Sequence, residues 1–310
     1  MLAAAIERAP RAPGIYCFLG ADEELLYVGK AADIAARLRQ HVRPGSGAAG
    51  VRGALLYERV RAVRFAVFAD EPAAAAFEAD VIVALRPRFN ASHRDDGRWT
   101  YVVVAPIARE PDRLRFTLST VIEAAPARAY GCFPHLGKGV SSPPGRACRD
   151  GYPALLRLLW LASAPVGAST PARITRGAPD RFEVAVAEAL RAPLHAFLSG
   201  TRDAITGTLV QQAVARRSEL GAAASERVLA RDRALANDFF EHGPQALRRL
   251  RLRRGAAAAP LARAAIERFV SAELADAIGP FARPAPRTAE DDALGRRAHP
   301  WARGSGESGR

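Results

Sequence analysis

A length of 310 residues is long for one domain, and a hydrophobic content of 49% is enough for packed cores, so the chain is expected to form two domains. The formal net charge of +13 favours a polyanionic partner, with nucleic acid as the leading candidate. The alternative origin of this charge is an arginine-heavy composition, since Lys30 and Lys138 are the only lysines.

The cysteines and the apolar runs set further limits. Cys17, Cys132 and Cys148 lie far apart and form no C-x-x-C pair, so neither a zinc site nor a disulfide framework is indicated. The N-terminus lacks the pattern of a secretion signal, and no run reaches the roughly 18 apolar residues of a membrane span. A soluble, cytoplasmic protein is therefore expected.

Two short apolar and aromatic runs open the series of predicted elements. Gly14–Leu19 and Leu25–Gly29 are typical of strands, and the Gly-Ala-Asp-Glu-Glu loop between them predicts a hairpin. Because successive strand residues face opposite ways, Tyr16 and Tyr27 can point into a common cleft.

A helix is predicted to follow the hairpin. Residues 31–42 have helical rhythm, which places Asp33, Arg37 and His41 four residues apart on one face. A cationic and titratable face therefore lies beside two phenols. The Gly and Ser content of residues 44–53 predicts a flexible loop.

A third strand and a second helix come next. Alternating apolar residues over 60–68 predict the strand. Asp70 can cap a helix with Pro72 in its first turn, and this helix continues to Leu85 before Pro87 stops it. Its apolar residues recur on one face, which should pack on the sheet.

The remaining elements are predicted from weaker patterns. Residues 99–106 and 113–120 are typical of strands that complete a small mixed α/β domain, and residues 131–147 of a loop. A helix is predicted over 152–162, and helical periodicity continues beyond Phe182.

Three features of the C-terminal third stay open at the level of sequence. Residues 221–240 fit either the second part of a helical hairpin or an ordinary amphipathic helix. Five arginines within seven residues are either a stripe that contacts phosphates or a solvated helix face, and these are Arg248, Arg249, Arg251, Arg253 and Arg254. Residues 283–310 lack periodicity and predict a disordered tail.

The order and spacing of the N-terminal motifs resemble the GIY-YIG endonucleases. Gly14-Ile15-Tyr16 and Tyr27-Val28-Gly29 match the two strand motifs, and the match gains specificity from Arg37, His41, Glu78, the Arg86-Pro87-Arg88-Phe89-Asn90 run and Arg94-Asp95-Asp96. Within that family the resemblance is to the N-terminal nuclease of bacterial UvrC-type excinucleases, and it is close over residues 10–105. It implies a small α/β GIY-YIG mixed sheet with flanking helices, followed by a mostly helical C-terminal region.

The resemblance implies a metal site at Glu78. A carboxylate inside an otherwise apolar helix should face a cleft or a partner, because burying it unpaired is expensive, although a lone Glu on a helix is most often solvated. The glutamate that binds metal in the family falls at this position. One carboxylate with water molecules suits a single Mg²⁺ or Mn²⁺ ion.

The remaining site roles are also implied by the resemblance. The catalytic set is Tyr16, Tyr27, Lys30, Arg37, His41, Glu78 and Asn90. Arg37 would stabilise the scissile phosphate, and Tyr27 would act as the general base with Lys30 lowering its pKa or holding a phosphate. Asn90 would tie loops around the site, and Asp95 and Asp96 are interpreted as structural.

His41 departs from the excinuclease pattern, where a tyrosine is usual. A histidine titrates near neutral pH and can act as base, acid or hydrogen-bond donor. If it shares the proton transfer, the acidic limb of the pH–rate profile should move in His41→Tyr.

A metal-dependent DNA endonuclease that makes one incision, 3′ of damage in nucleotide excision repair, is therefore expected. Arg86, Arg88 and the arginine run are candidate DNA contacts, and an excinuclease damage-recognition subunit is a candidate protein partner. The alternatives are a nuclease for branched or mobile DNA and a non-catalytic DNA-binding adaptor.

The predicted segments are 1–105 (nuclease), 106–165 (strand pair, loop and helix), 166–245 (helical, UVR-like) and 246–310 (arginine- and alanine-rich segment and tail). No second nuclease site and no iron–sulfur cluster are expected, since Cys148 stands alone in its region.

Overall fold

The computed structural model describes residues 2–42, 51–90, 99–122, 127–134, 143–165, 167–216, 224–256 and 260–284. The chain divides into two compact units. The first unit consists of Met1–Arg94 and Val270–Arg310, and the second of Asp95–Phe269. The segment boundaries drawn from the sequence at residues 105, 165 and 245 stay predictions.

A three-stranded antiparallel sheet organises the first unit. The predicted hairpin is confirmed: β1 (Gly14–Leu19) pairs with β2 (Leu25–Ala31) across a short 3-10 helix at Ala21–Glu23. On its other side β1 pairs with β3 (Ala62–Val67), so the strand order is β2-β1-β3. The helices of this unit are α1 (Leu2–Arg8), α2 (Ile34–Val42), α3 (Val51–Arg59) and α4 (Glu71–Leu85). The mixed α/β class predicted from the sequence is confirmed, and the three strands of this sheet pair antiparallel.

Local signals in the sequence explain where the helices begin and end. Helix α2 begins later than predicted because residues up to Ala31 stay in β2, and the Asp33 carboxylate caps it by accepting a 2.7 Å bond from Ala36 N–H. The predicted cap of α4 is confirmed, since Asp70 accepts a 2.7 Å bond from Ala73 N–H. Helix α4 ends at Leu85, and Arg86 after it has the left-handed φ of 52°.

Residues 51–53 were predicted to end a loop, and this is wrong because they begin α3; residues 43–50 lie outside the described part of the chain.

The core of the first unit lies between the sheet and helices α2 and α3. It includes Tyr16, Phe18 and Leu38, none of which is exposed, together with Leu56 of α3.

The last described residues pair with the edge of the same sheet. Leu25 N–H donates to Ala282 O over 3.0 Å, and Ala282 N–H donates to Glu23 O over 3.0 Å. Arg64 of β3 donates to Pro280 O and forms an ion pair with Glu23. Residues 279–283 are therefore part of the first unit. The predicted tail continues over residues 285–310, which lie outside the described ranges.

A four-stranded antiparallel sheet organises the second unit, with the order β6-β4-β5-β7. Its strands are β4 (Trp99–Ile107), β5 (Glu110–Ser119), β6 (Arg128–Pro134) and β7 (Arg181–Ala185). The helices that follow are α5 (Pro143–Ser163), α6 (Ala172–Thr175), α7 (Glu188–Leu198), α8 (Ile205–Ala215), α9 (Glu226–Phe240), α10 (Ala246–Arg253) and α11 (Arg263–Ile278), with a π-helical turn at Glu241–Gln245. The chain returns to the first unit within α11.

Two sequence interpretations of the second unit are wrong. Residues 131–134, predicted as part of a loop, belong to β6, and residues 143–147 belong to α5; residues 135–142 are not described. The stretch beyond Phe182 was predicted as helical, but residues 183–185 belong to β7, because Phe182 and Val184 alternate into the core and the strand pairs with β5. The proposed helical hairpin at 221–240 stays a prediction, with α9 as its described part.

The core of the second unit is larger than that of the first. Within it, Arg157 of α5 forms a buried ion pair with Asp232 of α9. Arg157 Nε donates to Asp232 Oδ2 over 2.7 Å, and Asp232 is not exposed. Among the described helices of the chain, none is both long and apolar enough to cross a membrane.

Candidate active site

The two motif tyrosines share one face of the hairpin. Tyr16 pairs with Gly29 and Phe18 with Tyr27, so the two phenols are diagonal neighbours with ring centroids 6.0 Å apart. The Tyr16 ring lies directly over Gly29: a Cβ there would be 2.4 Å from Tyr16 Oη. This contact explains why a glycine is required in the second strand motif.

Helices α2 and α3 extend this pair into a hydrogen-bonded chain. Tyr16 Oη and His41 Nε2 are 2.8 Å apart, and His41 Nδ1 and Tyr57 Oη are 2.7 Å apart. Burial, reinforced by the positive charge of Arg37, lowers the pKa of His41 to about 4. The imidazole is therefore neutral at neutral pH and carries one proton.

Glu78 faces the hairpin from α4. Its Oε1 accepts a 3.1 Å hydrogen bond from the backbone N–H of Lys30. Burial raises the pKa of the Glu78 carboxyl to about 7, although the Lys30 N–H and the charges of Lys30 and Arg37 oppose this rise. A carboxylate whose ionised form is penalised by burial is suited to bind a cation.

The Lys30 side chain points to a different acid. Its ammonium forms an ion pair with Glu71, in the first turn of α4. Burial raises the pKa of Tyr27, and the neighbouring Glu78 charge raises it further, whereas the Tyr16 hydroxyl and Arg37 lower it. The suggestion that Lys30 lowers the pKa of Tyr27 stays a prediction.

Arg37 projects from α2 toward the phenols. The neighbouring Tyr16 raises the pKa of the guanidinium, while burial raises the pKa of the Tyr16 phenol and Arg37 only partly opposes that rise. Arg37 also donates to Gln40 Oε1 over 2.9 Å, and its side chain is largely exposed. A fixed guanidinium at the edge of the phenol pair can bind an anionic group such as a phosphate.

Asn90 lies behind the site. Its Oδ1 accepts a 3.0 Å bond from Val28 N–H, and its Nδ2 donates to Val28 O over 2.7 Å. This pair of bonds fixes the chain after α4 against β2, between Tyr27 and Gly29. Asn90 is 3% exposed, so its amide is enclosed by the protein rather than open to solvent.

The donors of this site fit a hard divalent cation. The Glu78 carboxylate and the two phenols are oxygen ligands, which Mg²⁺ prefers, and a single carboxylate leaves positions for water. The described residues contain no cluster of three or more His, Cys, Asp or Glu side chains that could hold a metal.

The candidate DNA contacts lie in both units. Arg86 caps α4 at its C-terminal end, and Arg88 follows in the turn before Asn90. The arginine run forms α10 and its C-terminal cap; there Leu250 is buried while Arg249 and Arg253 are exposed. The pKa of Arg251 is lowered, by burial and by Arg248. Asp95 and Asp96 lie outside the described residues.

Sequence reasoning missed Tyr57 and Glu71. Tyr57 reaches His41 from a different helix, and Glu71 reaches Lys30 from the first turn of α4. No local spacing connects either residue to its partner, since the two pairs are separated by 16 and 41 residues. Only the tertiary arrangement brings them together.

Comparison with known proteins agrees with this geometry. Residues 12–91 match the model of a family described as the UvrC-like GIY-YIG domain. The UvrABC system protein C of Rhodopseudomonas palustris (strain BisB5) is 34% identical over 133 residues, which are 43% of this chain and 18% of that protein. The protein of the same name from Legionella pneumophila (strain Paris) is 26% identical over 229 residues, 68% of this chain and 34% of its own length.

Solved structures similar to this chain include the GIY-YIG N-terminal endonuclease domain of UvrC from Thermotoga maritima bound to magnesium. That domain is 28% identical, with a TM-score of 0.26, and the match covers 29% of this chain and 94% of that one.

Residues 12–91, which lie in the first unit, therefore match a GIY-YIG domain, as their motifs predict. Among such domains it is UvrC-like, and the resemblance to the N-terminal nuclease of UvrC-type excinucleases is confirmed for this domain. The chain spans less than a fifth of the length of the first curated relatives it matches.

Proposed function

We propose that this chain is a metal-dependent DNA endonuclease that makes a single incision, 3′ of damage, in nucleotide excision repair. The observation that carries the proposal is the assembly of Tyr16, Tyr27, Arg37, His41 and Glu78 around one face of the hairpin. They come from four elements of the first unit, β1, β2, α2 and α4, and their charges and hydroxyls interact with one another. A relict site in a non-catalytic adaptor would not need this arrangement.

Phosphodiester hydrolysis requires an activated water, neutralisation of charge on the phosphate and stabilisation of the leaving 3′ oxygen. A divalent cation at Glu78 would supply Lewis-acid stabilisation of the phosphate when bound. Arg37 would hold a second phosphate oxygen with its planar donors. Tyr27, beside Glu78, would have to be a phenolate to accept the proton of the attacking water, and the charge of a bound cation would lower its pKa and so favour that form.

The affinity for DNA is proposed to come from arginine. Arg86 and Arg88 lie at and just beyond the C-terminal end of α4, and α10 supplies a second basic segment. Contacts of this kind release counterions from the phosphate backbone, so binding should weaken steeply with salt and depend little on sequence. The excinuclease damage-recognition subunit is the proposed protein partner, because the relatives bear the name of a multi-subunit system.

A cleavage experiment tests the proposal. Lesion, bubble, flap and nicked duplexes, labelled at either end, are incubated with the full chain and Mg²⁺ or Mn²⁺, with and without the other excision proteins. We expect a metal-dependent nick 3′ of the lesion that increases when the damage-recognition subunit is present. Cleavage of flaps or branched duplexes alone would move the chain outside excision repair, and no cleavage of any substrate would contradict the nuclease proposal.

A further inference from the structure

Residues 279–283, here called the strap, are bound to the turn end of the hairpin by backbone contacts. The Ala282 carbonyl accepts a 3.0 Å hydrogen bond from Leu25 N–H, and the Ala282 N–H donates over 3.0 Å to Glu23 O. These two bonds form a single parallel β-bridge at the edge of the sheet. An extended segment from the far end of the chain therefore covers the start of β2.

Arg64 of β3 joins the strap to the rest of the sheet. Its Nη1 donates to Pro280 O, and its Nη2 forms an ion pair with the Glu23 carboxylate. Arg64 and Pro280 are 216 residues apart in sequence. The fixed fork of guanidinium donors thus binds the strap and the hairpin turn at once, which the single ammonium of a lysine does less well.

Both ends of the strap are fixed to its own helix. Gly279 N–H donates to Ala275 O over 2.8 Å, and the positive φ of 86° at Gly279 ends α11 in the left-handed conformation typical of a helix C-terminus. On the other side of the bridge, Arg283 Nε donates to Ser271 Oγ over 3.1 Å. The strap therefore reaches the hairpin in a defined extended form.

The hairpin turn needs support from its surroundings. Asp22 and Glu23 have positive φ angles of 53° and 59°, which side chains other than glycine rarely adopt. Such a backbone persists where neighbouring contacts hold it. The strap supplies one of these contacts, since Ala282 N–H binds the Glu23 carbonyl, and Arg64 binds the carboxylate of the same residue.

The strap is the first of four described contacts in a row along the outer edge of β2. The other three fix backbone groups closer to the candidate active site, and they are Phe89 N–H to Leu26 O (2.9 Å), the Asn90 amide to Val28, and Glu78 to Lys30 N–H (3.1 Å). Tyr27 follows Leu25 by two residues. The strap thus holds the strand directly before this phenol.

We propose that the strap is a conformational device of the nuclease: docked on the hairpin it holds β2 in the geometry for cleavage, and its release lowers kcat. The family model matches residues 12–91, so the strap lies outside the matched domain. The effect on cleavage rests on the proposed nuclease function. The docking does not, because the contacts exist in the protein without DNA.

Hydrogen exchange of the backbone amides in the full chain measures the docking. Ala282→Pro removes the N–H that binds Glu23 O. Ala282→Ser keeps that N–H at an exposed side chain and is the matched control. We expect the Leu25 amide to exchange about fivefold faster in Ala282→Pro, the usual size of one lost hydrogen bond, and at the wild-type rate in Ala282→Ser. The Val28 amide, which Asn90 holds, should keep its rate in both.

A second variant tests whether the contacts act as one unit. Arg64→Lys keeps the charge but loses the fork of donors, so it should also speed exchange at Leu25. Added to Ala282→Pro, it should increase that rate less than about twofold further, because the strap is already released. Fully independent effects of the two changes would contradict a single docked strap.

Nicking kinetics test the consequence for the reaction. Ala282→Pro should lower kcat about fivefold, with KM for DNA changed less than about twofold, and Ala282→Ser should match wild type. Equal exchange at Leu25 in the two variants would overturn the docking, and so would Val28 exchange that rises as much as that of Leu25. Faster exchange with an unchanged kcat would overturn the control of cleavage. A wild-type chain that never nicks DNA refutes the nuclease function instead, and the exchange rates still decide whether the strap docks.

Discussion

At the scale of single residues, Glu78 holds a charge that its surroundings oppose. The carboxylate has one described hydrogen bond, from Lys30 N–H, and burial raises its pKa to about 7. A bound cation would remove this penalty, and so the same burial that destabilises the free carboxylate favours the metal complex. The nearby Glu71 differs, because it lies at the surface and already has the Lys30 ammonium as its partner.

The first prediction follows from this difference. Glu78→Gln should abolish cleavage while leaving DNA affinity nearly unchanged, because the amide removes the carboxylate charge but not the basic surface. A lost metal ligand typically costs several kcal/mol of transition-state stabilisation, measured as the ratio of kcat/KM values. Glu71→Gln is the matched control and should retain most activity. Nicking by Glu78→Gln within tenfold of wild type would refute the role of Glu78.

The second prediction concerns stability against pH in metal-free buffer. The folded-state pKa of Glu78, about 7, lies above its ordinary value of 4.5. The protonated carboxyl therefore contributes to folding stability fully below pH 4.5, and this contribution is lost as the pH rises through 7. Glu78→Gln should therefore become more stable relative to wild type between these values, by up to about 3 kcal/mol. His41 acts in the opposite direction: its pKa falls from 6.5 to about 4, so stability is lost as the pH drops through that window.

Unfolding by urea at pH 8, 6.5 and 5 measures both effects. His41→Gln should lose less stability than wild type on going from pH 6.5 to 5, and Glu78→Gln should gain less on going from pH 8 to 5. Saturating Mg²⁺ should stabilise wild type at pH 8 but not Glu78→Gln. If Glu78→Gln and wild type keep a constant difference in unfolding free energy over this range, the buried-carboxylate argument fails.

At the scale of elements, other atoms pack so closely against the backbone of the hairpin that two of its positions require glycine. The Cβ of an alanine at position 14 would lie 2.1 Å from Ala66 O of β3, and one at position 29 would lie 2.4 Å from Tyr16 Oη. Both glycines of the strand motifs are thus required by packing, one against the neighbouring strand and the other against the phenol that faces the site.

The third prediction is that Gly29→Ala displaces the Tyr16 ring. Tyr16 is not exposed and cannot move aside without disturbing the core, so the overpacked variant should lose about 2 kcal/mol of stability as well as nicking activity. The control is Gly207→Ala in α8, where the nearest atom would be 3.8 Å away. There alanine should gain up to about 1 kcal/mol through helix propensity. Equal melting temperatures for Gly29→Ala and wild type would contradict the packing argument.

Local patterns predicted the elements that carry the site, and tertiary pairing decided the rest. The hairpin, the Asp70 cap and the end of α4 follow from residues adjacent in sequence, and all three are confirmed. Strand β7 was missed because its five residues are stabilised by pairing with β5, more than 60 residues earlier. Tyr57 was missed for the same reason. The roles of the site residues stay predictions, because geometry places side chains together without showing what they catalyse.

At the scale of the whole molecule, the described strands of the second sheet carry few acids. Strands β4 and β6 contain no Asp or Glu, and on β7 the only acid is Glu183. Arg181 and Arg115 donate to that carboxylate over 2.6 and 2.9 Å and lower its pKa. A second nuclease site on this sheet would need several carboxylates on neighbouring strands facing one metal. The described strands of the second unit offer only carboxylates that are paired or at a strand end.

The last prediction is therefore that the chain makes one incision. On a lesion duplex labelled at either end, wild type with Mg²⁺ should produce a single nick, expected 3′ of the damage, and Glu78→Gln should produce none. Glu183→Gln is the matched control, because it removes the acid of β7 without touching the hairpin, and it should leave the nick unchanged. Two cuts by wild type, with one retained in Glu78→Gln, would reveal a second active site. If that remaining cut also disappeared in Glu183→Gln, the site would lie on the second sheet.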